Sequence, residues 1–257
     1  MADTISQPVR TEREGAVLLL TITHPPANAI SQGVASGILE ALGQAEADSS
    51  CRAMIITGEG PRFFSAGADV TEFLDATSET SVSLEVTRRL EASRLPVIAA
   101  INGIAFGGGC EIALACDLRI CAEEARLGQP EIKLGIMPGW GGTQRLPRLI
   151  GRGPAMEILL TGDPVDAARA FQLGLVNRVV AATHLREEAL SLAGTLADRP
   201  PLAIAAIKRA VHQGLDGTLA DGLHREFEEF ARLFSSDDAR EGITAFLQKR
   251  KPVWTGS

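Results

Sequence analysis

Residues 97–131 constrain this chain more than any other stretch. They read VIAAINGIAFGGGCEIALACDLRICAEEARLGQPE. An apolar run enters, a glycine triplet interrupts it, and a carboxylate, Glu111, follows among apolar and small residues. Twenty positions later a second carboxylate, Glu131, follows Pro130 in a turn-like segment. Burying an ionised carboxylate without partners is costly enough that the group usually neutralises instead. Glu111 therefore needs a reason to be where it is. A structural reason is a partner such as Arg119 or a backbone donor. A functional reason is a second acid or an oxyanion site nearby, and the chain offers both.

At 257 residues the chain can form one large domain or two small ones. Its net charge of −7 argues against nucleic acid or an anionic membrane as the main partner. Tyrosine is absent, which excludes a tyrosine general acid. Cys51, Cys110, Cys116 and Cys121 form no CxxC pair, so buried free thiols and a cytoplasmic setting are expected. The opening MADTISQPVRTERE has no apolar core of a signal peptide, and the glycine-broken run at 97–110 is too short for a membrane span.

Strands are expected at 16–23, 52–57, 97–101, 103–106 and 118–122. Helices are expected at 31–46, 80–94 and from Gly107 or Gly108 to about Cys116. This alternation points to stacked βαβ units. Beyond about residue 142 the pattern turns helical, apart from LVNRVV at 175–180. Pro200-Pro201 can start one helix, and Asp238 with Glu241 has capping-box spacing for the last. Phe227, Phe230, Phe234 and Phe246 suggest that this region docks on the core or on another subunit.

Two loops of small residues, SAGAD at 65–69 and GGGCE at 107–111, join QPE at 129–131 as candidate site segments. Loops without bulky side chains let backbone N–H groups approach a ligand. Two such groups converging on one oxygen make an oxyanion hole, and the helix opening near Gly108 adds the positive end of its dipole.

Taken together, INGIAFGGGCEIALACDLRI, FFSAGAD, GQPEIKLGIMPGWGGTQRLPRLIG and FSSDDAREGITAFLQKRKPVW resemble the enoyl-CoA hydratase/isomerase (crotonase) family from about Leu18 to Lys251. The resemblance implies an α/β fold, a spiral of repeated ββα units over residues 1–195. A helical trimerisation region would follow at 196–257, in a homotrimer or dimer of trimers. It implies an acyl-CoA thioester substrate, with coenzyme A part of that substrate and no separate cofactor or metal. Ala68 and Gly108 match the N–H donors to the thioester oxygen, and Glu111 and Glu131 match the two catalytic glutamates of hydratases. Ala66 matches the loop cradling adenine. Gly67 and Asp69 share that substrate loop, Asp69 as a hydrogen bonder that fixes it rather than a catalyst. Gly139 matches a glycine beside the reacting water and acyl group. Phe230, Phe246 and Lys249 match positions that close the CoA site. The chain departs from the pattern at Thr71, where relatives carry a lysine near the CoA phosphates, and at Ile104, where tyrosine is common. Trp140 stands where small residues are frequent and is expected to reshape the acyl pocket.

Competing motifs are absent: no GxGxxG follows a strand, no serine has glycines at both −2 and +2, and no HExxH occurs. His24, His184, His212 and His224 read as surface or structural, and Asp117 with Arg119 as structural. The expected activity is reversible hydration of a trans-2-enoyl-CoA. A double-bond isomerase, or a hydratase or dehydratase for a branched or aromatic acyl-CoA, is the alternative within the family. A catalytically quiet acyl-CoA or RNA-binding module is the alternative outside it, and the net charge opposes RNA.

Overall fold

The computed structural model describes residues 8–74 and 81–257. The chain opens with a hairpin, β1 (Val9–Glu14) and β2 (Val17–Ile22), followed by α1 (Gln32–Ala47). Three strand pairs then succeed one another. These are β3 (Ala53–Gly58) with β4 (Phe63–Ser65), β5 (Val97–Ile101) with β6 (Ile104–Phe106), and β7 (Leu118–Ala122) with β8 (Arg126–Gly128). Helices α2 (Thr71–Leu74) and α3 (Ser81–Ala92) separate the first two pairs, and α4 (Gly108–Ala115) separates the second and third. Each pair places its first strand in a six-stranded sheet, order β1-β2-β3-β5-β7-β10, and its second in a four-stranded sheet, order β4-β6-β8-β9. Each ββα unit therefore advances both sheets by one strand, which is the winding of the expected spiral.

The six-stranded sheet is covered on both faces. Leu18, Leu20, Ile22, Met54 and Ile56 point into one core with α1 and α4, and Val17, Leu19, Ala53 and Ile55 point into the other. Strands buried on both faces read as unbroken apolar runs, which is why VLLLTI and VIAAI are legible as strands without alternation. Asn102 locks successive turns of the spiral together. Its Nδ2 donates to the carbonyls of Gly60 (2.6 Å) and Phe63 (3.1 Å), and its Oδ1 accepts from Gly58 N (3.1 Å). Gly103 must be glycine because a Cβ there would overlap the Arg62 carbonyl.

After β8, a 3-10 turn spans Pro130–Leu134. Helices α5 (Gly142–Ile150) and α6 (Arg152–Thr161) lead to β9 (Val165–Asp166), α7 (Ala167–Gln172) and β10 (Arg178–Val180). Helix α8 (Leu185–Ala197) covers the second sheet face with Leu185, Ala189 and Ala193. The chain finishes with α9 (Pro201–Leu215), α10 (Leu219–Phe234) and α11 (Asp237–Gln248).

Four strands escaped the sequence reading. β1 is an edge strand with only Val9 buried, and β4, β8 and β9 are two or three residues long, too short for a periodicity to register. The capping box expected at Asp238 is also corrected. Ser236 caps α11, accepting from Ala239 N at 3.0 Å. Buried Asp238 instead accepts from the backbone N–H groups of Thr255 (2.7 Å) and Gly256 (3.1 Å), strapping the tail to the helix. A capping box does occur on α10, between Thr218 and Asp221.

Phe227, Phe230, Phe234 and Phe246 stay exposed, so their faces are not docked on this chain's core. Helix α9 is tied to the core by Lys208, whose Nζ donates to Asp117 Oδ2 and to the Leu95 carbonyl, both at 2.7 Å. All four cysteines are free and buried. No described helix is long and apolar enough to cross a membrane.

Candidate active site

The three segments singled out in the sequence meet at one cavity of about 380 Å³. It is bordered by Ala66, Gly67, Ala68, Gly107, Gly108, Glu111, Glu131, Gly139 and Trp140. The spiral brings them there, because β4 and β6 are neighbours in the small sheet and their C-terminal ends open into the loops 66–69 and 107–108. Close approach of these loops requires glycine. A Cβ on Gly67 (φ 114°) would sit 3.0 Å from the Phe106 carbonyl and 3.6 Å from Gly108 N. A Cβ on Gly109 would strike Ser65.

Loop 65–69 is held from behind. Ile30 N donates to the Gly67 carbonyl (2.8 Å) and Asp69 N to the Ile30 carbonyl (3.1 Å). Gly67 N donates to Ser65 Oγ (3.2 Å), and Asp69 Oδ1 accepts from Thr71 N and Oγ1. The Ala68 N–H lies between these anchors and donates to none of the described residues. Gly108 is the first residue of α4, where a helix N–H has no intrahelical acceptor, and the helix dipole is positive there. Two backbone donors thus stand on facing loops at the cavity wall, an arrangement able to stabilise charge on a carbonyl oxygen.

Glu111 is 2% exposed, on the fourth residue of α4. Arg119 is not its partner, because that guanidinium is spent on the carbonyls of Ala113, Cys116 and Leu175. Its partners are backbone donors: Trp140 N and Gly142 N both donate to Oε1 at 2.7 Å. Burial pushes the Glu111 carboxyl above the ordinary range, and the two N–H donors and the charge of Arg145 act against that push.

Glu131 sits on the 3-10 turn across the cavity, close enough that a Cβ on Gly107 would lie 2.8 Å from its Oε1. The buried Gln129 amide, oriented with its NH2 toward Glu131, donates to Oε1 at 3.1 Å and Oε2 at 3.3 Å. Burial, with the charge of Glu111 added, raises the Glu131 carboxyl to about 7. At neutral pH one carboxyl with two amide donors therefore faces a second that is readily protonated, a pairing suited to base and acid roles.

Trp140 is 6% exposed, and its indole covers Gly108. Val70, Leu134, Ile136 and Met137 complete an apolar rim that the sequence reading did not include. Gly142, the second donor to Glu111, was also missed; the glycines of GWGG were its only trace in the sequence. Asp69 does not border the cavity, its carboxylate being turned to Thr71. Phe230, Phe246 and Lys249 do not border it either. The two rings are exposed on α10 and α11, and Lys249 ends α11 in a left-handed conformation (φ 55°). Among the described residues no cluster of His, Cys, Asp and Glu has metal-binding geometry.

A two-sheet spiral that brings two backbone N–H groups and two facing carboxyls to one cavity is the arrangement of a crotonase-type fold. The family model Enoyl-CoA hydratase/isomerase matches residues 12–257, and the chain belongs to that family. It is 41% identical over 246 residues to a short-chain-enoyl-CoA hydratase of Clostridium acetobutylicum, covering 93% of this chain and 94% of that protein. It is 44% identical over 250 residues to the 2,3-dehydroadipyl-CoA hydratase of Escherichia coli, covering 95% and 97%. The crystal structure of an enoyl-CoA hydratase from Bacillus anthracis superposes with a TM-score of 0.93 at 38% identity, covering 98% of this chain and all of that one.

Proposed function

We propose that this protein is an enoyl-CoA hydratase, adding water reversibly to a trans-2-enoyl-CoA to give a 3-hydroxyacyl-CoA. The observation that carries this reading is the pair of glutamates on opposite sides of a cavity that also presents the N–H groups of Ala68 and Gly108. Those two donors hold the thioester oxygen and stabilise the negative charge that develops there when C3 is attacked. Glu111, oriented by Trp140 N and Gly142 N, positions the water and takes its proton as the oxygen bonds to C3. Glu131 delivers a proton to C2, and exchange between the two carboxyls restores the starting state. Because the carboxyls interact, the pH dependence belongs to the pair.

The apolar rim of Val70, Leu134, Ile136 and Met137 suits an apolar acyl tail. Coenzyme A enters as part of the substrate, with Ala66 and Gly67 in the loop that takes its adenine, and no other cofactor is needed. The exposed aromatic faces of α10 and α11 support the assignment of residues 196–257 to oligomerisation, in a trimer or dimer of trimers. Phe230, Phe246 and Lys249 would then close a neighbour's CoA site. The four free buried thiols fit a reducing, cytoplasmic compartment.

The test is loss of the conjugated enoyl-thioester absorbance with crotonyl-CoA and with a longer homologue. Rapid loss with either supports hydration. Conjugation of a 3-enoyl-CoA without any hydration would replace this reading with an isomerase.

A further inference from the structure

The amides that hold Glu111 come from a short loop, Gly139-Trp140-Gly141-Gly142, whose glycines give it little intrinsic stiffness. Gly141 has φ 112°, and no side chain caps α5 behind it. The donors to Glu111 lie in the peptide planes on either side of the Trp140–Gly141 peptide. That central peptide is gripped by its carbonyl oxygen. Arg145 Nη1 donates to it at 2.9 Å, and Thr87 Oγ1 lies 3.0 Å from it, its single proton shared with the Leu84 carbonyl at 2.9 Å. Arg145 is itself clamped in a two-bond fork by Glu91, with Nε to Oε1 at 3.1 Å and Nη2 to Oε2 at 2.7 Å. Thr87 and Glu91 are one turn apart on α3, and Thr87 is fully buried.

We propose that Arg145, fixed by Glu91, is a positioning residue for Glu111: by gripping the Trp140 carbonyl it aims the Trp140 and Gly142 amides at the carboxylate and so orients it for the reacting water. The proposal rests on the hydration reading. A planar fork is the side chain best able to take two carboxylate oxygens and a carbonyl at once, and lysine cannot reproduce it. The guanidinium charge also favours ionised Glu111. The other ionisable side chains in this neighbourhood include Glu131 across the cavity, Arg148 on α5, Asp117, and Lys208 and His212 on α9. His212 Nδ1 lies 3.7 Å from Glu91 Oε1, and its Nε2 lies 3.6 Å from Asp117 Oδ1.

The experiment compares the full-length wild type with Arg145→Gln, Arg145→Lys, Glu91→Gln and Thr87→Val. It measures kcat and KM for crotonyl-CoA across pH, affinity for the unreactive butyryl-CoA, and the ionisation of Glu111. That ionisation is read as the infrared carboxyl band missing from Glu111→Gln. Arg145→Gln is expected to lower kcat about tenfold or more while KM and butyryl-CoA affinity stay within about twofold. Its acid limb of kcat/KM and its Glu111 band both titrate at higher pH. Arg145→Lys returns the titration toward wild type but not kcat, and Glu91→Gln lowers kcat. Thr87→Val, which changes no charge, lowers kcat and moves the limb upward less than Arg145→Gln does, because only the aim of the two amides is disturbed. It also carries the test if Arg145→Gln does not fold. Unchanged kcat and an unchanged Glu111 titration in these variants, with only melting temperature reduced, would overturn the proposal. A wild type that binds butyryl-CoA but hydrates nothing defeats the hydration reading alone. The infrared titration then still decides whether Arg145 governs Glu111.

Discussion

The indole of Trp140 lies against the Cα of Gly108 so closely that no Cβ can be accommodated there. One residue therefore contributes at two points. Its backbone N–H holds Glu111, and its ring packs against Gly108. The proposed general base and one proposed oxyanion donor are therefore both in contact with the same residue.

This relationship predicts the behaviour of Gly108→Ala. The new methyl group displaces the indole and tilts the amide, and loss of one such donor costs roughly 10²–10³ in kcat. Adding Trp140→Ala to Gly108→Ala makes room for the methyl group and recovers part of that loss, so the two substitutions are non-additive in steady-state kinetics. Additive losses would show that the ring and the amide are independent.

Glu111→Gln and Glu131→Gln are each expected to cut turnover by at least about 10², the usual contribution of one placed acid or base. A glutamine at position 111 can still accept from Trp140 N and Gly142 N, so folding and butyryl-CoA affinity persist. Near-normal turnover in either variant removes that residue from the reaction.

The alkaline side of the pH profile follows from Glu131. With its carboxyl raised to about 7, the proton needed at C2 is lost as pH rises through that value. Hydration measured as kcat/KM is expected to fall above about pH 7, with an apparent value belonging to the coupled pair.

The same shift bears on stability. Folded Glu131 binds its proton more tightly than the unfolded chain, whose carboxyl titrates near 4.5. Its contribution is fully present below pH 4.5 and is lost as pH rises toward about 7. Glu131→Gln has no such dependence. Its melting temperature should therefore gain on that of the wild type between these two values and hold constant above them. A difference in melting temperature that does not change with pH would contradict the raised carboxyl.

Lys208→Met tests the tie between α9 and the spiral. Removing one partner of a buried ion pair destabilises by about 3–5 kcal/mol, here by depriving Asp117 of its cation. Asp117 keeps its hydrogen bond from Val97 N, which places the expected loss at the lower end. Denaturant unfolding measures it, and kcat per folded molecule should be retained.

Much of the site was legible because its chemistry violates ordinary burial statistics. A glutamate in an apolar helix behind three glycines, and a second after Pro130, stand out in a one-dimensional reading, and both reach the cavity. The strands buried on two faces were legible as apolar runs. What escaped was of another kind. The edge strand β1 carries charge at most positions, the strands of the small sheet are too short to show a period, and Ser236 rather than Asp238 caps α11 because Asp238 is engaged by the tail.

The sequence by itself determined which residues could do the chemistry: Glu111, Glu131 and the side-chain-free loops around Ala68 and Gly108. These depend on residue type and on neighbours along the chain. Only the tertiary structure decided who holds them. Glu111 is served by the amides of Trp140 and Gly142, about thirty positions away, and those are aimed through Thr87 and Arg145. Backbone donors carry no signature of residue type, and long-range partners are brought together by the winding of the two sheets rather than by any local pattern.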